Sequence, residues 1–264
     1  MPTNQKLWFG RESGVEHLRP LPFLGFNTFP GKINFYLRIF FDLRLNAIFC
    51  AARLLFPKFS GRVLDIGCGG QPWRWMLTHC QYVGLEIKDV DEKFGYIKKE
   101  SIIYYDGQHF PFLNESFNHI ICTEVIEHVL DPRGFLNECK RCLKKDGQVF
   151  LTVPFSARYH YIPYDFWRFT PSGLEVLFNE VGFKQWKINN LGTDVSAIIN
   201  KINLLIVKLL FPSRGKFSVR LVKIFLGFLF LPAFLVLTLL GLILIRLKIG
   251  SPDDPLGYGV LITK

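Results

Sequence analysis

At 264 residues the chain is long enough to bury a full hydrophobic core, as one large domain or one domain with an appendage. Six cysteines are too sparse for a disulfide scaffold, and the polar N-terminus carries no secretory signal, so a reducing, cytoplasmic compartment is expected. The net charge of +10 calls for an anionic partner, either nucleic acid or a membrane surface, and the position of that charge decides between them.

Residues 1–32 are polar and rich in Pro and Gly, which reads as a loosely structured arm. From Ile33 to Phe56 the pattern is helical, with Arg38, Asp42, Asn46 and Arg53 on one narrow face. Such a helix either packs on a neighbouring sheet, the favoured reading, or lies flat on a membrane. Arg62 to Ile66 is the first predicted strand. It runs into Gly67-Cys68-Gly69-Gly70, a turn whose bare backbone a ligand can approach closely, and then a helix-like segment from Gln71 to Thr78. Gln81 to Glu86 is the second strand. Glu86 follows Asp65 by 21 residues, and an acidic side chain there suits the vicinal hydroxyls of a ribose. The turn and the spaced acid together indicate a nucleoside cofactor.

Ser101 to Tyr105 and Phe117 to Thr123 are the third and fourth strands; the unbroken apolar run Ile120-Ile121-Cys122 suits a strand covered on both faces. Asp131-Pro132 opens a helix to Lys145, and Asp146-Gly147 ends it. Cys139 and Cys142 stand on that helix without a second Cys pair or a His partner, so two reduced thiols are expected and no metal-ligand set is. Gln148 to Pro154 is the fifth strand. Ser172 and Glu175 mark a helix start leading to Asn179, and Lys184 to Ile188 is the sixth strand. Strands alternating with helices imply a doubly wound α/β sheet with ligands outside the carboxyl ends of its strands.

The last third is different. Between Ser196 and Ile249 there is no Asp or Glu, while Lys201, Lys208, Arg214, Lys216, Arg220, Lys223, Arg246 and Lys248 account for most of the excess charge. Basic residues interleaved with Leu, Ile and Phe suit an anionic membrane better than a phosphate backbone. Ile224 to Ile245 is 22 residues without a charge, about 33 Å as a helix against a bilayer core of about 30 Å. The flanks are positive at both ends and Pro232 interrupts the run. A last strand, Gly257 to Lys264, follows. If the strands on either side of the insertion share one cytoplasmic sheet, a single crossing is excluded. The expectation is a re-entrant or shallow helical hairpin, with Val195–Phe211 in the interface; a two-pass hairpin and an apolar dimerisation module are the alternatives.

Four motifs stand in order: Val63-Leu64-Asp65-Ile66-Gly67-Cys68-Gly69; Gly84-Leu85-Glu86; Asp106-Gly107 with Phe110-Pro111-Phe112 and Ser116-Phe117; and Glu124-Val125-Ile126-Glu127-His128-Val129. Over about residues 60–190 and the chain end, this resembles the class I S-adenosylmethionine-dependent methyltransferases, in the branch that includes quinone-biosynthetic methyltransferases. The resemblance implies a Rossmann-like sheet, mostly parallel with an antiparallel last strand, here with an apolar helical insertion between the last two strands. The expected divisions are 1–57 (arm and amphipathic helix), 58–192 (cofactor-binding core), 193–250 (insertion) and 251–264 (last strand).

The resemblance also implies residue roles. Asp65 and the Gly67, Cys68, Gly69 turn hold the methionine part of S-adenosyl-L-methionine. Glu86 takes the ribose hydroxyls, Ile87 lies on the adenine face, Asp106 and Gly107 meet the adenine edge, and Glu124 sits beside the cofactor. His128 is either a site residue or a brace. The aromatic stretch from Arg158 to Thr170 leaves the carboxyl edge of the sheet and is expected to cover the acceptor. In it His160 or Asp165 is a candidate base, and Arg168 either binds an anionic group of the substrate or pairs with Asp165. The functional expectation is a membrane-associated methyltransferase with its catalytic domain on the cytoplasmic face. Its acceptor would be a lipid, a lipid-linked glycan or a quinone-like molecule, most simply through O-methylation. The alternative is a non-catalytic cofactor-binding or membrane scaffold of the same fold. The Asn/Asp-Pro-Pro-Tyr type of motif used on base amino groups is absent, which disfavours nucleic acid.

Overall fold

A computed structural model describes residue 26 and residues 29–96, 99–212 and 217–264. Most of the predicted arm, with Arg214 and Lys216, lies outside the described residues. Seven strands form one sheet: β1 (Arg62–Ile66), β2 (Gln81–Ile87), β3 (Ile102–Tyr105), β4 (Phe117–Thr123), β5 (Leu143–Pro154), β6 (Gln185–Leu191) and β7 (Gly257–Thr263). Their spatial order is β3-β2-β1-β4-β5-β7-β6. β7 runs antiparallel to β5 and β6, and the remaining neighbours pair in parallel.

Alternation along the strands builds two apolar layers. Leu64, Ile66, Ile120, Cys122, Val149 and Leu151 face α4 (Pro132–Cys142) and α5 (Pro171–Val181), while the short α3 (Val90–Phe94) follows β2. Val63, Ile121 and Phe150 face the other way, onto α1 (Phe29–Phe41) and α2 (Leu43–Leu55). The N-terminal helical region therefore packs on the sheet. It is two helices where the periodicity predicts one. Asp42 breaks it: its carboxylate accepts from Arg44 N and Leu45 N, capping α2. A polar residue on a helix face and an N-cap look alike in sequence.

Other boundaries move for local reasons. Only a 3₁₀ turn, Arg74–Leu77, forms in the helix-like segment after the glycine turn. Helix α4 stops at Cys142, short of the predicted Lys145, because Leu143 is buried and pairs with Phe117, starting β5 early. An irregularity in that ladder then absorbs Asp146, at φ +60°, and Gly147, where a Cβ would stand 2.8 Å from Asn118 O.

The insertion is three helices: α6 (Asp194–Leu210), α7 (Phe217–Leu229) and α8 (Leu231–Leu247). No single helix among the described residues is long and apolar enough to cross a membrane; α7 and α8 together are, but they bend by 50° at Phe230, beside Pro232. Leu191 pairs with Gly257, and Gly257 with Pro154. β6 is thus parallel to β5, and the insertion leaves and rejoins the sheet at the carboxyl edge of the parallel strands.

Candidate cofactor and acceptor site

That edge carries a cavity of about 1750 Å³, larger than the roughly 300–1,000 Å³ usual for one small ligand. Each of β1, β2, β3 and β4 ends in a residue of its wall: Gly67, Ile87, Asp106 and Glu124 follow or close those strands.

The glycine turn is shaped by close approach. Gly67 N donates to Leu85 O at 2.9 Å, with φ +65°. A Cβ there would lie 2.3 Å from Val125 Cγ2, and one on Gly69, at φ +45°, 2.9 Å from the Tyr96 ring. Glu86 is buried, and its two oxygens accept from Gly69 N (2.9 Å) and Ile87 N (3.0 Å), which aims the carboxylate across the turn. Burial raises its pKa, and those two N–H groups oppose the rise. Cys68 and Ile87 complete this wall, with Gly107 beside Ile87. Asp106 caps its own turn, accepting from Gln108 N and His109 N, and those bonds hold its carboxyl below the ordinary range.

Asp65 lies behind the wall. Tyr82 Oη donates to its Oδ2 at 2.6 Å, while Oδ1 is buried without a hydrogen-bond partner. Burial pushes this carboxyl up to about 7; Tyr82 pulls the other way and Glu86 adds to the rise. A glycine-rich turn, a carboxylate set beside it and an orphaned acidic oxygen behind it suit S-adenosyl-L-methionine, whose sulfonium and ammonium are cationic and whose ribose offers hydroxyl donors. No metal has to be invoked for that half.

The opposite wall is assembled from distant segments. Glu124 adopts φ +57°. Its N–H donates to Thr152 O at 3.1 Å, and its Oε2 lies 3.1 Å from Arg44 Nη1 of α2. His128 Nδ1 donates to Tyr164 O at 2.7 Å, which leaves Nε2 as the free nitrogen. Burial lowers its pKa to about 4, so the ring is neutral near pH 7. His160 Nδ1 sits 2.9 Å from Asp165 Oδ2 and 3.1 Å from Arg158 O. Burial alone would raise Asp165, but hydrogen bonds from Arg168 and His160 outweigh it and hold the carboxyl well below its usual range. Arg168 grips both oxygens of Asp165 at 2.6 Å and also donates to Arg158 O and Trp167 O.

The two sequence candidates for the base therefore stand in series. His160 lines the cavity, Asp165 stands behind it as the group that orients the ring, and Arg168 is committed to Asp165 and to backbone carbonyls. Sequence reasoning did not find Arg44, Tyr82 or Tyr96. Glu127 was visible only as a letter of the fourth motif. Its carboxylate is wholly buried, with neither oxygen hydrogen-bonded. Burial, then the charge of Glu124, pushes it well above the carboxylate range.

The remaining wall comes from the insertion: Leu204, Leu205, Val207 and Phe211 at and beyond α6, and Phe234 of α8. It is apolar apart from Asn200, Lys201, Asn203 and Lys208.

Comparison with known proteins agrees with this layout. Residues 42–188, more than half of the chain, match a methyltransferase-domain family. A ubiquinone biosynthesis O-methyltransferase of Haemophilus ducreyi is 32% identical over 124 residues, covering 42% of this chain and 51% of that protein. The enzyme of the same description from Vibrio cholerae is 29% identical over 125 residues, covering 42% and 48%. The chain thus spans about half the length of the curated relatives it matches. The solved S-adenosylmethionine-dependent methyltransferase of Archaeoglobus fulgidus shares the fold: 17% identity, TM-score 0.50, and 87% of this chain against 99% of that one. With sheet order, glycine turn, Glu86 and family match in agreement, the chain belongs to the methyltransferase-domain family, with S-adenosyl-L-methionine as its cofactor.

Proposed function

We propose that the protein methylates an apolar acceptor drawn from a membrane: a lipid, a lipid-linked glycan or a quinone-like molecule. One observation carries this reading. Leu204, Leu205, Val207, Phe211 and Phe234 of the insertion line the same cavity as the glycine turn, and the insertion departs from the same sheet edge. Further support comes from the outer faces of that insertion. Phe217, Phe225, Phe228, Val236, Ile243 and Leu247 are each more than half exposed, a surface that water disfavours and acyl chains accept. Lys223 and Arg246 flank it, which suits an anionic cytoplasmic leaflet.

S-adenosyl-L-methionine supplies an already activated methyl group, so the protein's part is mainly alignment, a contribution worth several kcal/mol. Glu86 and the glycine turn fix one partner. The cavity beyond Glu124 receives the other, with His128 and His160 as the groups that activate its hydroxyl. O-methylation suits two imidazoles whose Nδ1 atoms are already engaged, leaving Nε2 to face a hydroxyl. The test is to incubate detergent-purified protein with labelled donor and membrane extract, beside a Glu86→Ala variant. Label in the organic phase, lost in the variant, supports the reading. Label only in aqueous acceptors, with full cofactor binding, overturns the lipid acceptor.

A further inference from the structure

We infer that α1 is a second membrane-docking element, continuous with the insertion at the mouth of the cavity, and that an anionic bilayer covers its outer face. The inference deepens the membrane-acceptor reading and rests on it for the route of the acceptor. The docking of α1 itself is visible with lipid alone.

Helix α1 is apolar on two faces. Gly31, Phe35 and Ile39 are buried, the two side chains in the layer that covers the sheet. The opposite face carries Phe29, Ile33, Tyr36, Leu37 and Phe41 at helical spacing, with exposure from 37% at Phe41 to 77% at Phe29. A helix needs one apolar stripe to pack on a sheet, so a second stripe implies a second apolar neighbour. Sheet packing and membrane contact, alternatives in the sequence, thus fall on opposite faces of one helix.

The outer face leads to the cavity. Phe41 stacks on Phe234 of α8, with ring centroids 5.5 Å apart and planes 21° apart, and both rings line the cavity. Leu205 of α6 and Phe211 just beyond it line the same cavity and are 61% and 68% exposed. Side chains that line a cavity and also stand open to solvent mark its mouth. That mouth therefore carries apolar groups of both α1 and α6, and an apolar acceptor can pass from acyl chains into the cavity without crossing water.

Charge identifies the neighbour. Helices α1, α6, α7 and α8 together carry seven Lys or Arg and one acidic residue, Asp194. Asp194 is engaged at the start of α6, where its Oδ1 accepts from Val195 N and Ser251 N. Lys208 is exposed and stands at the cavity wall. Anionic headgroups complement such cations while acyl chains cover the rings between them. A second copy of the chain would set the same positive excess against itself, which like-charge repulsion opposes.

The test floats the full, detergent-purified chain with vesicles of equimolar phosphatidylserine and phosphatidylcholine. The parent is compared with the double variant Ile33→Asp, Leu37→Asp, which alters only the outer face of α1. Its partition onto vesicles should fall about tenfold, with S-adenosyl-L-methionine affinity within about twofold of the parent as the proof of folding. The parent should bind pure phosphatidylcholine vesicles about tenfold more weakly than the mixture. A Tyr36→Trp variant, read in vesicles with brominated acyl chains, should show quenching beyond that of the parent's own tryptophans, and this readout stands even where the double variant fails to fold. Unchanged flotation of a double variant that binds the cofactor, or no added quenching in Tyr36→Trp, overturns the docking of α1 and leaves the membrane-acceptor reading on the insertion alone. Equal binding to neutral vesicles overturns the anionic partner. A double variant that sediments as a monomer where the parent is a dimer, with vesicle binding kept, makes the face a contact between copies and overturns the inference. Absence of vesicle binding by the parent overturns both the docking and the membrane as source of the acceptor.

Discussion

The two ends of the cavity are built in opposite ways. At the cofactor end, nearly every contributing group follows directly on a strand, and the decisive ones are backbone: Gly67, Gly69, and the N–H groups that aim Glu86. At the acceptor end the groups are side chains from the N-terminal helices, the turn after β4, the segment after β5 and the insertion. A ligand shared by a whole fold is met by main chain that the sheet itself positions. A ligand particular to one protein is met by parts that can change without moving a strand. Four tests sharpen or break this contrast.

The largest effect belongs to the cofactor end. Gly67→Ala puts a methyl 2.3 Å from Val125 Cγ2 on left-handed backbone, where strain costs about 1–3 kcal/mol. Calorimetry should show cofactor affinity falling about a hundredfold. Adding Val125→Ala should recover only part of it, since the clash is relieved and the φ strain is not. Full recovery would mean that contact, rather than backbone conformation, governs the turn.

At the other end, Phe225→Asp combined with Val236→Asp charges the exposed face of α7 and α8. Binding to anionic phosphatidylserine vesicles in flotation should drop about tenfold or more, while cofactor affinity stays within about twofold. A parallel loss of cofactor binding would show that the two ends are not independent.

Asp65 supplies a pH dependence. Its carboxyl ionises near 7 when folded and at about 4 when unfolded. The native state therefore holds a proton that the unfolded state has lost between those values. The stability from this group is complete below pH 4, falls as pH rises to 7, and is level above. Urea midpoints of the cofactor-free protein should follow that slope, and Asp65→Asn should flatten it. Cofactor binding runs the other way: a cationic ligand favours ionised Asp65, so affinity should rise up to about tenfold between pH 6 and 7 and then plateau. A flat profile in the parent would remove Asp65 from the cofactor site.

The smallest effect is Arg44→Ala. The Arg44 and Glu124 side chains are about a quarter and a fifth exposed, but the facing Nη1 and Oε2 atoms are buried, so the loss should cost about 1–2 kcal/mol in thermal or urea unfolding. It should raise KM for the acceptor more than it changes cofactor affinity. A loss above about 3 kcal/mol would make the pair a core element of the fold.

Legibility from sequence followed the same division. Strands such as Arg62–Ile66 and Phe117–Thr123 carry short apolar runs, Val63-Leu64 and Ile120-Ile121-Cys122, closed by turns, and a local pattern suffices to bound them. Glu86 was readable because sheet spacing sets its distance from Asp65. The Arg44–Glu124 pair was not, since 80 positions separate its members and no local rule links them. His128 and His160 each drew attention, but their meeting could not be read: 31 residues lie between them, and only the fold of the 155–170 segment brings the two rings to 5.0 Å. Asp165 drew attention as an acid, but its committed oxygens, which make it an orienting group, can be seen only in three dimensions.

The pairing of Leu191 with Gly257 has a consequence for how freely this protein can change. The two strand ends are already adjacent, so a four-residue turn could close the hairpin where 65 residues now intervene. That is about four doublings of loop length, and roughly 2.4 kcal/mol of closure entropy in favour of the short version. The sheet would not register the exchange. To the sheet the insertion is therefore a cassette: what ties down its composition is packing on the N-terminal helices, where a Cβ on Gly241 would stand 2.5 Å from Leu43 Cδ1, and not strand pairing.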